Sequence, residues 1–77
     1  QLPQTRHFSE TGWWRAEASV KVPSDHRLEG DLLSQGDIRI GARSVVTGSV
    51  KAKGAVVLEK GAVVFGNVLG GTDVTIE

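Results

Sequence analysis

The feature that most constrains this chain is a glycine that returns every 18 residues, at Gly12, Gly30, Gly48 and Gly66. From the first of these glycines onward the chain divides into eleven pieces of six residues, and ten pieces open with Gly, Ala, Ser or Thr. The third and fifth residues of most pieces are aliphatic, as in Ile38 and Ile40. Alternation with a period of two is typical of a strand, and small residues at fixed intervals indicate turns. The sequence therefore predicts short strands separated by turns at a constant pitch.

The charged residues follow the same alternation. Sixteen of them lie between Gly12 and Glu77, and fifteen occupy odd-numbered positions; Lys60 is the exception. Because successive side chains of a strand point to opposite faces, this bias predicts that even positions face a core and odd positions face solvent over the whole length.

A helix is excluded because Val, Ile, Thr and Gly dominate and no apolar stripe recurs every 3.6 residues. Antiparallel hairpins do not usually keep equivalent residues 18 apart. A solenoid does, with three strands per triangular coil and parallel ladders about 4.8 Å apart between coils. We predict an all-β fold: a parallel β-helix of about three and two-thirds coils over residues 12–77, preceded by a lead or cap segment, residues 1–11.

The handedness of the coil is predicted from the residue that follows the aliphatic residue at the fifth position of each six-residue piece. Left-handed hexapeptide helices usually place Gly, Asn or Asp there, whereas only two of ten such positions here are glycine and none is Asn or Asp. Crossovers between parallel strands are also right-handed by default. The prediction is a right-handed coil.

Composition excludes several classes of function. Nine basic residues balance nine acidic ones, so no global field attracts nucleic acid. Cysteine is absent, which removes disulfides and thiolate metal sites. The first residues lack the basic and apolar segments of a secretory signal, and none is expected. His26 falls at an inward position and is expected to be a partly buried residue of the end coil. We expect no catalysis, cofactor, metal or small-molecule substrate.

Two sets of apolar residues carry the remaining predictions. The predicted core comprises Ile38, Ile40, Val46, Val50, Val56, Leu58, Val64, Val68 and Val74. Val57, Val63, Phe65 and Leu69 fall on the solvent parity near the end of the sequence, which indicates a covered surface. Trp14 should turn inward and close the first coil, leaving Trp13 outside. The residues predicted to mediate self-association are Trp14, Val63, Phe65, Leu69, Val74 and Ile76.

The phrases VTGSVKA, LEGDLLSQGDIRIGA and GAVVFGNVLGG resemble the repeat of bactofilins, bacterial cytoskeletal proteins that form polymers. The likeness covers roughly residues 18–77. It implies a right-handed β-helix that stacks end to end into filaments without nucleotide. It also implies a cytoplasmic location with membrane association, and partners among cell-envelope or membrane-associated proteins. The chain departs from the family in having fewer than four coils, where about six are typical.

Two other functions stay open. One is a fragment of a left-handed hexapeptide acyltransferase, although an exposed loop with a catalytic histidine is absent. The other is a passive carbohydrate-binding solenoid in which Trp13 and Phe65 stack on sugar rings.

Overall fold

The computed structural model describes residues 5–8 and 12–77, with side chains for residues 12–77. Every regular element in these ranges is a β-strand, and all twelve strands have only two to four residues. In chain order they are β1 (Thr5–Phe8), β2 (Trp13–Ala16), β3 (Val20–Val22), β4 (Arg27–Leu28), β5 (Asp31–Ser34), β6 (Ile38–Ile40), β7 (Val45–Val46), β8 (Val50–Ala52), β9 (Val56–Leu58), β10 (Val63–Val64), β11 (Val68–Gly70) and β12 (Val74–Ile76).

The strands form a right-handed parallel β-helix, which confirms the predicted fold class. One parallel sheet contains β2, β5, β8 and β11, a second contains β3, β6, β9 and β12, and a third contains β4, β7 and β10. Each residue pairs with the one 18 positions away, as Ile38 does with Val20 and Val56. Strands β2–β4, β5–β7 and β8–β10 make three coils, and β11 with β12 adds two-thirds of a fourth.

The first strand departs from this pattern. β1 pairs antiparallel with β2, with Thr5 opposite Ala16 and Phe8 opposite Trp13. It therefore covers the outer edge of β2, the first strand of the solenoid proper. The sheet containing β2 therefore has five strands, of which four belong to the coils.

The core runs along the axis and contains only even-numbered residues, as the charge alternation predicts. Its apolar members are Ala16, Val20, Val22, Leu28, Leu32, Ile38, Ile40, Val46, Val50, Ala52, Val56 and Leu58. Val64 and Val68 are partly buried against it. The prediction is wrong for Val74, which is 45% exposed. Its side chain has the inward parity, but no described coil lies above it.

Two buried serines complete the core, and hydrogen bonds to the backbone satisfy both. Ser34 Oγ donates to the carbonyl of Ala18 at 2.9 Å and accepts from the amide of Gly36 at 3.0 Å. Ser44 Oγ donates to the carbonyl of Pro23 and accepts from the amide of His26. Within the described residues, no buried side-chain polar atom lacks a partner.

The corner between the second and third sheets repeats a left-handed backbone conformation. Asp25, Arg43 and Gly61 occupy equivalent places in successive coils, with φ values of 57°, 61° and 82°. The Arg43 guanidinium donates two hydrogen bonds to the Asp25 carboxylate, at 2.7 and 2.9 Å, which pins one corner to the next. These bonds hold the pKa of Asp25 below its ordinary value.

Candidate self-association surface

The two ends of the solenoid differ in how their strand edges are paired. At the C-terminal end, β10, β11 and β12 pair with the coil below, and no described strand pairs with their outer edges. At the other end, β1 pairs antiparallel with β2, so the strands whose outer edges have no described partner are β1, β3 and β4. Unpaired strand edges are templates for pairing with another chain.

Apolar side chains are exposed at the same C-terminal end. Among residues 12–77, five of the six large hydrophobic residues that are exposed lie there, with exposed fractions from 42% to 74%: Val63, Phe65, Leu69, Val74 and Ile76. Val74 and Ile76 have the inward parity and lie over the open core, whereas the other three face outward beside it. The structure therefore brings together five of the six residues predicted to mediate self-association.

The sixth, Trp14, lies in the first coil, at the opposite end. Its indole is partly buried against the core and donates a hydrogen bond from Nε1 to the carbonyl of Glu29 at 2.9 Å. The inward aliphatic residues of this coil, Val20, Val22 and Leu28, are all buried. The N-terminal end of the core is therefore closed, whereas the C-terminal end is open.

Side-chain acceptors that link the coils were not predicted from the sequence. Asp31 Oδ1 accepts the amide of Ser49 at 2.7 Å, and Ser49 Oγ accepts the amide of Asn67 at 3.0 Å. In a parallel column, Asp37 Oδ1 accepts the amide of Ala55 at 2.8 Å. The detectable signal is a small polar residue that recurs every 18 positions at the start of a strand or just before it. Such bonds hold each coil in register with the next.

Charged groups on the second sheet are paired with one another. Arg39 Nε donates to a carboxylate oxygen of Glu59, and Lys21 Nζ lies 4.0 Å from the same oxygen. The hydrogen bond from Arg39 is the main reason that the pKa of Glu59 lies below its ordinary value. Arg39 also reaches Glu77, at 3.8 Å. This mutual neutralisation leaves no strongly basic face on the second sheet.

The described residues offer little for metal or acid–base chemistry. His26 is partly buried, as predicted, and stacks below Ser44 in the next coil. Residues 12–77 contain no group of three or more His, Asp or Glu side chains that could hold a metal ion. The same part of the chain has no helix that could cross a membrane.

The prominent surface of this solenoid is thus its open C-terminal end, where the free edges of three strands lie beside exposed apolar side chains. Comparison with protein-family models, curated proteins and solved structures finds no match to the chain. The resemblance to bactofilins therefore rests on the repeat motifs alone.

Proposed function

We propose that this chain is a structural scaffold module that associates with copies of itself through its open C-terminal end, without nucleotide. The observation that carries the proposal is that three strands with free outer edges and five exposed apolar side chains lie together in the last 15 residues of the sequence. A contact at this end would pair backbone groups and remove apolar surface from water at once. Neither gain requires a catalytic group or a cofactor.

The resemblance to bactofilins supports this function, because those proteins stack β-helices end to end. Under this proposal the module works in the cytoplasm, beside the membrane, and positions cell-envelope or membrane-associated proteins. The coil count limits how far the likeness extends, since three and two-thirds coils give a shorter rod than the family's six.

The two alternatives have less support. The acyltransferase alternative requires a left-handed coil, and the coil here is right-handed. The carbohydrate alternative requires Trp13 and Phe65 to form one platform. Trp13 lies on β2 and Phe65 follows β10, so about three coil spacings, or roughly 14 Å along the axis, separate them.

Sedimentation velocity over a wide concentration range tests the proposal. We expect the wild-type chain to associate as its concentration rises, and Val74→Lys with Ile76→Lys to remain monomeric. Lysines on an edge strand disfavour pairing, and these two also place charge over the open core. Circular dichroism should show that the double variant keeps its strands, since the middle coils are untouched.

Glu17→Lys is the matched control, because it also changes the charge by two but lies on the exposed side of the first coil. This variant should associate as the wild type does. The proposal is refuted if the wild-type chain stays monomeric at high concentration, or if the double lysine variant associates as readily as its parent.

A further inference from the structure

We infer that association closes at two copies, with the C-terminal ends facing each other across a two-fold axis through β11. This inference rests on the proposed self-association and adds its partner, symmetry and stoichiometry. A filament needs two adhesive ends, and within residues 12–77 only the C-terminal end combines free strand edges with an exposed core. At the other end of the described solenoid, the apolar residues of the first coil are buried, and Trp14 is partly buried against the core.

Head-to-tail stacking also conflicts with the strand count. In such a stack β1 would lie between β11 of one copy and β2 of the next, adding one strand to that sheet alone. The second sheet has no matching extra strand, so β12 and the β3 of the next copy would be held about 9.6 Å apart, twice the 4.8 Å of a strand pair. Pairing in one sheet would prevent pairing in another.

Two C-terminal ends meet without this conflict. The three strands with free outer edges, β10, β11 and β12, are consecutive along the chain, and β11 is the middle one. A two-fold axis at β11 pairs this strand antiparallel with its own copy and pairs β12 with β10 of the second copy. The corners on either side of β11, residues 65–67 and 71–73, have three residues each, so both pairings can form together.

The alternation of side chains fixes the register. An inward residue must meet an inward residue, so the axis must pass through a residue and not between two, and Leu69 is the centre of β11. Val74 then lies opposite Val64 of the second copy, and Thr75 lies opposite its Val63. The open core of each copy is covered by the other.

Charge complementarity supports the same arrangement. In this register Glu77, which also lies 3.8 Å from Arg39 of its own copy, is opposite Gly61 of the second copy, one residue from its Lys60. Lys60 is the one charged residue at an even position in the repeat, and it is exposed. Opposite charges therefore face each other twice, once on each side of the axis.

Single cysteines test this geometry, because the chain has none of its own. Antiparallel neighbours have Cα atoms about 4.5–5.5 Å apart, within the range that a disulfide spans. Leu69→Cys should give a covalent dimer on mild oxidation. The control is Leu33→Cys, which lies at the equivalent outward position two coils earlier and should remain uncrosslinked.

A mixing experiment makes the test independent of Leu69, whose replacement could itself weaken association. Val63→Cys and Thr75→Cys are prepared separately, one with a mass tag. Oxidation of the mixture should give the mixed dimer, whereas neither variant alone should crosslink efficiently. Sedimentation of the wild type should reach a plateau at twice the monomer mass.

The outcomes separate the two proposals. A monomer at every concentration would overturn both. Species that keep growing beyond two copies would leave self-association standing and overturn the closed dimer. A dimer without the Val63–Thr75 crosslink, formed by another face, would overturn the two-fold arrangement through β11.

Discussion

Glycine has two different uses at the level of single residues. Gly12 and Gly30 adopt positive φ values of 73° and 112°, whereas Gly48, in the same column, does not. At Gly48 the requirement is space, since a Cβ would lie 2.6 Å from the carbonyl oxygen of Gly30 in the coil below. Glycines spaced 18 residues apart thus meet two different requirements. Some adopt a positive φ, and others leave space for the backbone of the neighbouring coil.

Comparing Gly12→Ala with Gly30→Ala separates these two requirements. A Cβ at Gly12 has no neighbour within 4 Å, so alanine there meets only the backbone cost, about 1–2 kcal/mol. A Cβ at Gly30 would also collide with the carbonyl oxygen of Gly12. We therefore expect the free energy of unfolding, measured in urea, to fall further for Gly30→Ala. Equal losses for the two variants would show that contact between coils does not limit this position.

At the level of elements, β1 is the one strand that does not follow the solenoid. Its antiparallel pairing with β2 covers an edge that would otherwise match the free edge of β11. The third sheet has no strand added in this way, and its outer strand β4 has only two residues. We therefore predict that β1 stops growth at the N-terminal end, because it adds a strand to one sheet alone.

Deleting residues 1–11 tests this role. The deletion exposes the edge of β2, so we expect species larger than a dimer at concentrations where the full chain is dimeric, measured by light scattering after size exclusion. Adding Val74→Lys and Ile76→Lys to the deletion should remove these larger species, because growth needs both ends. A deleted chain that still stops at two copies would show that β1 does not block growth.

At the level of the whole molecule, burial depends on the position of a coil in the stack. Ile40 and Ile76 are both isoleucines of inward parity on the second sheet, yet the first is fully buried and the second is 74% exposed. Each coil contacts only its neighbours, so a terminal coil lacks half of the contacts of a middle one.

Alanine at these two positions should therefore have unequal effects. Ile40→Ala should lower the free energy of unfolding by about 2–4 kcal/mol, through lost burial and the cavity left behind. Ile76→Ala, measured where the chain is monomeric, should cost less than about 1 kcal/mol, as is usual for surface changes. Urea denaturation measures both. A small loss for Ile40→Ala would contradict the assignment of even residues to the core.

The sequence by itself determined the pitch, the coil count and the face of nearly every residue. These features follow from the alternation of apolar and charged residues and from the 18-residue spacing of small residues. Both are properties of the chain itself and are the same in the folded state. The apolar residues on the solvent parity, Val63, Phe65 and Leu69, likewise pointed to a surface at one end. The 18-residue spacing could also have indicated that Asp31 and Asp37 accept hydrogen bonds from the next coil. Aspartate is common in ordinary turns as well, so the residue type alone did not distinguish the two roles.

The tertiary structure alone decided how the ends differ. Whether β1 pairs with β2 and whether Val74 is covered both depend on contacts between distant segments at the boundaries of the repeat. Within the repeat, each coil is covered by one coil on either side. The coil at each end of the described solenoid lacks one of these two neighbours. Parity placed Val74 on the inward face, but the absence of a described coil above it left the side chain exposed.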